Sequence, residues 1–251
     1  MKAVFFLFFL LTTSFYSVIA QDINTVIKEA NHLESIPDEK AAFEKFKEVL
    51  KIQPINLYEL TKCSELCSRI GNREKDTKSR DNYYSAAIIY AQTALKVSPL
   101  SDDANVVMAI AVGRTVLIKS GKEKISAVKD IKRYADIALK TNPNNFKAWF
   151  ILGKWNYEVS NLNMIERAAT KIFFGGLPDA SLKSAITDYE KAKALSPLFM
   201  LNYLELAKAY HKNDDTKMAI AQLNKLLTLP MQTQDDPRIK AEAQKLIQDW
   251  D

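Results

Sequence analysis

The sequence predicts an all-α fold in which about five pairs of antiparallel helices stack into a superhelix, or solenoid. Its 251 residues include only 6 glycines and 8 prolines, which favours long regular elements over tight turns. A proline closes each of several alanine-rich stretches, and proline cannot continue a helix. Small and apolar residues recur at helical spacing ahead of these prolines, which indicates that one helical unit is repeated along the chain.

The first 20 residues have the composition of a secretory signal peptide. Lys2 is followed by the apolar run Ala3–Leu11, and Val18-Ile19-Ala20 resembles a small-residue cleavage site. The run is shorter than the ~20 residues that span a bilayer. We therefore expect cleavage after Ala20 and a periplasmic or secreted chain that forms one repeat domain over residues 21–251. The alternative is an uncleaved N-terminal membrane anchor.

The stretches that end in a proline define the second helix of each repeat. In each stretch, small or apolar residues stand at positions i, i+4 and i+7 ahead of the proline. This spacing, A-x3-F/Y-x2-A-x4-P, is that of the second helix of a tetratricopeptide (TPR) unit. The five sets are Ala42, Phe46 and Val49; Ala87, Ala91 and Ala94; Ile131, Ala135 and Ala138; Ala185, Tyr189 and Ala192; and Ala219, Leu223 and Leu226.

The first helix of each repeat follows a weaker pattern, which in a TPR unit reads W-x2-L-G-x2-Y. A Gly, Ala or Cys in each helix marks the point where two backbones approach closely. The five sets are Val26, Ala30 and Leu33; Cys63, Leu66, Cys67 and Ile70; Ala109, Val112, Gly113 and Val116; Trp149, Leu152 and Gly153, with Tyr157 one residue late; and Tyr203, Leu206, Ala207 and Tyr210.

These patterns divide the chain into five units and a terminal cap. The first and fifth units have the spacing of a 34-residue repeat, whereas the other three carry about 8, 6 and 20 extra residues at the turn between their helices. A last amphipathic helix begins near Asp235-Asp236-Pro237 and is expected to cover the end of the solenoid. The units are about 23–56, 57–101, 104–145, 146–199 and 200–233, and the capping helix is 235–250.

The longest insertion, Ser160–Ala180, contains a predicted amphipathic helix that Gly175-Gly176 ends. The helix either packs on the solenoid as an extra element or forms a lid whose Phe173-Phe174 edge closes a hydrophobic groove. The residues expected along its apolar side are Leu162, Ile165, Ala168, Ala169, Ile172 and Phe173.

Two stretches, Gly121–Pro143 (GKEKISAVKDIKRYADIALKTNP) and Ala148–Pro178 (AWFILGKWNYEVSNLNMIERAATKIFFGGLP), resemble the regulator of microtubule dynamics family. The resemblance covers about residues 25–250 and suggests a bacterial-type secreted member. It implies TPR-like helical repeats with a long insertion in one unit, and links to microtubules and to mitochondria or contact sites. One branch of the family is similar to a lipid-binding, lipid-transfer module. A secreted chain would not meet cytoplasmic tubulin, so the resemblance carries the fold better than the function.

A ligand site is expected on the concave face, because the first helices of a TPR array line that face. A basic residue stands one position past the small residue in three consecutive first helices, and we call these three residues the basic ladder. Basic side chains flanked by apolar ones suit a partner with a carboxylate or phosphate and an apolar part, such as a peptide C-terminus or a phospholipid. The alternative is that the basic residues are solvated charges without a partner. The basic ladder is Arg114, Lys154 and Lys208, with Lys212 one turn beyond, and the same face is expected to carry Ile110, Phe150, Tyr157 and Leu204.

Other classes of site find little support in the sequence. Cys63 and Cys67 lie four residues apart on one predicted helix, a spacing that suits two buried packing residues better than a disulfide. The two histidines, His32 and His211, are far apart, so we expect no metal site. No catalytic or phosphate-binding motif occurs, and we expect neither catalysis nor a cofactor. The net charge of +5 is too small and too spread out to indicate nucleic acid binding.

The sequence therefore predicts a non-enzymatic scaffold that uses the concave face of a TPR solenoid for protein–protein interaction. One alternative is a carrier that holds a lipid or other amphiphile in the concave groove under the 160–180 insertion. A microtubule-associated protein is a further alternative, which rests on the family resemblance alone.

Overall fold

The computed structural model describes residues 23–116 and 119–250, so the predicted signal peptide lies outside the described residues. These ranges contain helices joined by short turns and no β-strand. None of the described helices is long and apolar enough to cross a membrane. The helices are α1 (23–35), α2 (Glu39–Ile52), α3 (Leu57–Arg73), α4 (Thr77–Val97), α5 (Asp102–Thr115), α6 (Gly121–Thr141), α7 (Phe146–Ser160), α8 (Met164–Phe174), α9 (Leu182–Leu195), α10 (Met200–Lys212), α11 (Thr216–Leu227) and α12 (Asp236–Trp250).

Polar side chains set where most of these helices begin. The residue before a helix accepts a hydrogen bond from a free backbone N–H group of the first turn, which stabilises the helix start by about 1 kcal/mol. Asn163 ahead of α8 does so within a capping box completed by Glu166. The residues that cap other helices in this way are Asp38, Asn56, Asp76, Ser101, Asn145, Ser181 and Asp215.

The helices pack in pairs, as a TPR-like solenoid requires, and the predicted fold class is confirmed. The pairs are α1–α2, α3–α4, α5–α6, α7–α9 and α10–α11, while α12 packs on the last pair. The first helices of neighbouring pairs also contact one another from α3 through α5, α7 and α10 to α12. We call this series of first helices the inner row, because it lines the concave side of such a superhelix. The second helices α2, α4, α6, α9 and α11 form the outer row.

The core lies between the paired helices at the positions that the repeat pattern predicts. The small residues Ala87, Ala91 and Ala94 are fully buried, and so are Tyr189 and Leu223. Of the five predicted second-helix sets, only Ile131 is partly exposed. Small side chains let neighbouring helices approach, and the larger ones fill the space between them.

A hydrogen bond recurs in three consecutive units and corrects the predicted register of one of them. In each unit a side chain in the first turns of the first helix donates to the carbonyl of the proline six residues earlier, which ties the helix start to the preceding turn. Asn105, and not Ala109, therefore holds the position of Trp149 and Tyr203, so the third first-helix set begins one turn earlier than predicted and Ile110, not Arg114, is the counterpart of Lys154 and Lys208. The three pairs are Asn105 with Pro99 (3.0 Å), Trp149 with Pro143 (2.8 Å) and Tyr203 with Pro197 (3.0 Å).

The two shorter insertions lengthen helices and do not form loops. Both α4 and α6 have 21 residues, against 12 in α11, which belongs to a unit without an insertion. The extra residues therefore add turns at the beginning of the second helix. Their backbone N–H and C=O groups form hydrogen bonds within the helix, whereas in an irregular loop of the same length they would need other partners.

The longest insertion forms α8, but its packing differs from both expectations. Among the described helices, α8 makes only a small contact, with α6 of the outer row, and its apolar side faces away from the protein. Ile165 is 82% exposed and Phe173 is 72% exposed, while the side chain of Phe174 lies outside the described part. The expectation that this side packs on the solenoid or closes a groove is therefore wrong. The amphipathic pattern identified the helix, but it could not show what the apolar side would meet.

Candidate binding surface on the inner helices

The basic ladder lies on the inner row, but two of its three members are already paired. Nζ of Lys154 lies 2.6 Å from Oε2 of Glu205 and 2.9 Å from Oε1 of Glu158. Nζ of Lys208 lies 3.1 Å from Oε1 of the same Glu205 and 2.8 Å from Glu242. Both lysines are thus neutralised by carboxylates of the inner row and do not present free charges.

Glu205 is the centre of this network. Its side chain is only 8% exposed. Burial alone would raise the pKa of Glu205, but the ammonium groups of Lys154 and Lys208 outweigh it, so the pKa is lowered. The pKa of Lys154 is raised, because Glu205 and Glu158 offset the effect of burial on the ammonium group. The network links α7, α10 and α12 along the inner row.

Further ion pairs reach across the inner row between helices that are not neighbours. Nζ of Lys147 on α7 lies 2.6 Å from Oε2 of Glu65 on α3. Nη1 of Arg73, at the end of α3, lies 3.0 Å from Oδ2 of Asp235, just before α12. The second pair joins residues from opposite ends of the described chain, so the superhelix curls until its second unit meets its cap.

Arg114 differs from the two lysines, because no described carboxylate lies within ion-pair distance of its guanidinium group. Its Nη1 donates a hydrogen bond of 2.9 Å to Oδ1 of Asn72. Its Nε is fully buried and has no hydrogen-bond partner. Burial lowers the pKa of Arg114, although Tyr84 and Asp235 act in the opposite direction. A buried charge without a paired counter-charge is unfavourable, and proteins rarely retain one without a function.

Arg114 belongs to a group that we call the arginine cluster, which consists of Arg73, Arg114 and Arg238. Asp235 stands among the three: it pairs with Arg73, lies 3.6 Å from Nη2 of Arg238 and is close enough to Arg114 to affect its pKa. Oδ1 of Asp235 is buried and makes no hydrogen bond. Arg73 also pairs with the buried Glu39. Arg238 also lies 3.7 Å from Glu242, so within the cluster Arg114 alone has no described carboxylate at ion-pair distance.

The other predicted site residues vary in exposure. Phe150 is half-buried, and its ring centroid lies 5.0 Å from that of Phe199 and 5.8 Å from that of Tyr189. Ile110 and Tyr157 are half-buried, and Tyr157 lies under the Lys154 ammonium group. Leu204 is 1% exposed and belongs to the core, so it does not lie on the surface as expected. Lys212 is exposed at the end of α10.

The carboxylates that pair with these basic residues were not predicted from the sequence. Glu65 and Glu205 each stand two residues before the small position of a first helix, Cys67 and Ala207. Glu205 is buried and Glu65 is 17% exposed, and a carboxylate withdrawn from water in this way is stabilised by a basic neighbour, which such an acid therefore indicates. The repeat spacing marks the residue after each small position, so it predicts the bases and not the carboxylates that pair with them.

The cysteines are packing residues, as predicted. Both thiols are free and fully buried on α3. Burial raises the pKa of Cys67 to about 12, so the thiol is neutral and unreactive at physiological pH. No group of three or more His, Cys, Asp or Glu residues suited to a metal ion is found in the described ranges.

Comparison with known proteins relates this architecture to one family. The family model of regulator of microtubule dynamics protein 1–3 matches residues 26–251. Regulator of microtubule dynamics protein 1 of Bos taurus is 25% identical over 228 residues, which are 90% of this chain and 71% of that protein. Regulator of microtubule dynamics protein 2 of Homo sapiens is 26% identical over 173 residues, which are 68% of this chain. That match spans only 42% of the human protein's length.

A solved structure supports the fold. A thermophilic TPR protein of Thermus thermophilus superimposes with a TM-score of 0.67 and 14% sequence identity. The match covers 90% of this chain and 99% of the other. At this level of identity the likeness shows a shared TPR architecture and nothing about a shared ligand.

Proposed function

The chain belongs to the regulator of microtubule dynamics protein 1–3 family, and from this premise we propose that it is a non-catalytic scaffold that binds a protein or peptide partner on its inner row. TPR-like solenoids present their first helices as an extended surface for partners. We further propose that an acidic group of the partner, such as a C-terminal carboxylate, binds at Arg114. The observation that carries the proposal is that this half-buried guanidinium group has no paired carboxylate, while its Nε is buried without a hydrogen-bond partner.

The arginine cluster supplies the chemistry for such a contact. A guanidinium group offers several N–H donors in one plane, and a carboxylate accepts two of them at once. Asp235 shows that a carboxylate fits among these side chains, because it lies 3.0 Å from Arg73. A partner's carboxylate would compete with Asp235 or would complete the hydrogen bonds of Arg114. Lys154 and Lys208 take a smaller part, since Glu205, Glu158 and Glu242 together already neutralise both.

Quantitative affinity capture tests this proposal. The full chain, Arg114→Met and Lys217→Met are immobilised in parallel, and retained proteins are measured by mass spectrometry. Lys217 is an exposed lysine of the outer row and serves as the control. If a partner binds through Arg114, the amount retained should be at least tenfold lower on Arg114→Met and unchanged on Lys217→Met. Loss of one member of a buried, hydrogen-bonded charge pair weakens binding by roughly 2 kcal/mol or more. Equal retention on all three would rule out Arg114 as the anchor.

The lipid carrier proposed as an alternative has a separate readout. Organic extraction of the purified chain followed by mass spectrometry detects any lipid that copurifies. A single lipid class near one molecule per chain would favour the carrier over the scaffold. A carrier also requires an enclosed apolar volume of a few hundred Å³, whereas the inner row is lined by the ion pairs described above.

The family name makes microtubule binding the second candidate function. Cosedimentation of the full chain with polymerised tubulin tests it directly.

We propose that residues 1–20 export the chain, in which case it would not meet cytoplasmic microtubules. The N-terminal residue of the mature protein decides this point: Gln21 is expected after cleavage, and an N-terminus that retains residues 1–20 would indicate a membrane anchor.

A further inference from the structure

Helix α8 presents a row of large apolar side chains away from the protein. Met164 is 86% exposed, Ile165 82%, Ile172 74% and Phe173 72%. On a helix with 3.6 residues per turn Met164, Ile165 and Ile172 fall on one side together with Ala168, within an arc of about 100°, whereas Phe173 lies beyond the edge of that side. The half-buried residues of the helix are Ala169 and Thr170, which lie toward the edge of this side or beyond it. The most apolar side is therefore the most exposed one.

This orientation is the reverse of the ordinary one, in which an amphipathic helix buries its apolar side against the fold. Although α8 makes only a small contact with α6, local hydrogen bonds fix its direction relative to α7. Arg167 donates to the carbonyls of Val159 and Ser160 at the end of α7 and of Leu162 in the turn that follows. A capping box fixes its beginning, and Gly175 in a left-handed conformation ends it. A defined helix thus holds the apolar row outward, which is typical of a surface that meets something outside the chain.

Basic residues lie near this apolar row. Lys171 lies on α8, and a shallow cleft of about 370 Å³ opens between α6 and the segment that leaves α8 at Pro178. Phe174 and Pro178 are four residues apart, so the cleft begins within about 14 Å of the helix end. The cleft is lined by Lys129, Lys132, Arg133, Asp136, Ile137, Lys140 and Pro178.

The cleft is basic on balance. Lys132 pairs with Asp136 at 2.8 Å, and Arg133 pairs with Asp130 at 2.9 Å. Lys140 is exposed at the end of α6, where the pairing acids of the helix do not reach it. Lys140 could therefore contact an anionic group from outside the chain without displacing the existing ion pairs.

We propose that α8 and the adjacent α6 cleft dock on the surface of an anionic lipid bilayer. The apolar row would enter the boundary between headgroups and acyl chains, and the lysine and arginine side chains would contact phosphate groups in the same plane. Large apolar residues on one side and basic residues beside them are the features of helices that lie in a membrane interface. A second copy of the chain fits less well, because pairing through α8 would bring two basic clusters together.

This surface is independent of the inner row. The α6 helix belongs to the outer row, so a partner on the inner row and a bilayer at α8 could be bound at the same time. The surface contact also differs from a lipid held inside the groove, since it needs no enclosed cavity.

Flotation with lipid vesicles tests the proposal on the full chain. The probes are vesicles of phosphatidylcholine alone and of phosphatidylcholine with about one third phosphatidylglycerol. The test variant is Ile165→Ser with Ile172→Ser, and the control is Ile55→Ser with Ile89→Ser, whose side chains are 69% and 61% exposed elsewhere. Since all four side chains are exposed, neither change should disturb folding. Any binding by the N-terminal apolar segment is common to every variant, so differences between variants report on α8.

The expected result is binding to the anionic vesicles that falls about tenfold or more in the α8 variant and is unchanged in the control. Lys140→Gln is expected to lower binding several-fold to anionic vesicles only, and Lys245→Gln, an exposed lysine on α12, to leave it unchanged. Equal binding by the α8 variant and its control overturns the proposal, and so does equal affinity of the full chain for both vesicle types. A concentration-dependent dimer that the α8 variant abolishes would assign the surface to a second copy instead.

Discussion

The ring of Tyr189 on α9 lies directly against the backbone of Gly153 on α7. A Cβ atom at position 153 would stand 2.6 Å from Cδ1 of Tyr189, closer than real Cβ contacts. Gly153→Ala should therefore lower the free energy of unfolding by about 1–3 kcal/mol through overpacking. Urea denaturation followed by circular dichroism measures the change. Gly113→Ala is the control: its nearest neighbour would be 3.9 Å away, so the higher helix propensity of Ala should raise stability by up to about 1 kcal/mol.

The hydroxyl group of Tyr189 is buried and has no hydrogen-bond partner. Tyr189→Phe removes a buried polar atom that nothing satisfies, so it should leave stability unchanged or raise it by about 1 kcal/mol. Tyr203→Phe should have the opposite effect, because the Tyr203 hydroxyl donates to the carbonyl of Pro197 at 3.0 Å. Melting temperatures of the two variants, compared with the wild type, decide the sign. A loss of stability in Tyr189→Phe would show that its hydroxyl has a partner in solution.

Glu59 on α3 is fully buried, and neither carboxylate oxygen makes a hydrogen bond. Burial raises the pKa of Glu59 from 4.5 to about 7. As pH rises between these values the unfolded chain ionises while the folded chain stays protonated, so this residue reduces stability progressively from about pH 4.5 to pH 7. Glu59→Gln should therefore stabilise the protein by about 1–3 kcal/mol at pH 8 and very little at pH 4.

Glu39→Gln is the matched comparison for Glu59, since Glu39 is equally buried but pairs with Arg69 and Arg73. Its loss should destabilise the protein at pH 8, because Arg69 and Arg73 would each lose one of their two carboxylate partners. Parallel denaturation curves at pH 4 and pH 8 test both variants. The same sign of effect at pH 8 for both would contradict the assignment of Glu59 as an unpaired acid.

The effect of Glu65 on stability changes with pH in the direction opposite to that of Glu59. Burial alone would raise the pKa of Glu65, but Lys147 and Arg69 outweigh it and lower the pKa to about 2. A lowered pKa gives stability that is complete above the unfolded value of about 4.5 and is lost as pH falls toward 2. Glu65→Gln should be about 2–3 kcal/mol less stable than the wild type at pH 7, and the two should converge near pH 2. The exposed Glu44→Gln should change stability by less than about 0.5 kcal/mol at either pH.

We expect Arg114 to lower the stability of the unliganded chain and to be needed for binding of the proposed partner. Because its Nε is buried without a partner and no carboxylate pairs with its guanidinium group, Arg114→Met should raise the stability of the unliganded chain by about 1 kcal/mol while it removes the proposed partner contact. Lys154→Met should instead destabilise the chain, since it leaves the buried Glu205 with only Lys208. Thermal unfolding of both variants without a partner distinguishes them. Destabilisation by Arg114→Met would show that the free chain already compensates this charge.

The sequence by itself determined the helical repeat and most of its core. Ala87, Ala91 and Ala94 could be assigned to the core because helical periodicity, proline stops and small residues at helix crossings act within a few turns of the chain. The close approach at Gly153 followed from the same local pattern. These features depend on neighbours in sequence, so one sequence is enough to predict them.

Only the tertiary structure decided which charges are free and which way α8 faces. Glu205 meets Lys154 from another unit, and Arg73 meets Asp235 162 positions along the chain, because small rotations between successive units add up to the curl of the superhelix. No local pattern encodes that sum. Arg114 has no paired carboxylate and the apolar row of α8 faces outward, and these two departures from ordinary packing are the features on which the proposed functions rest.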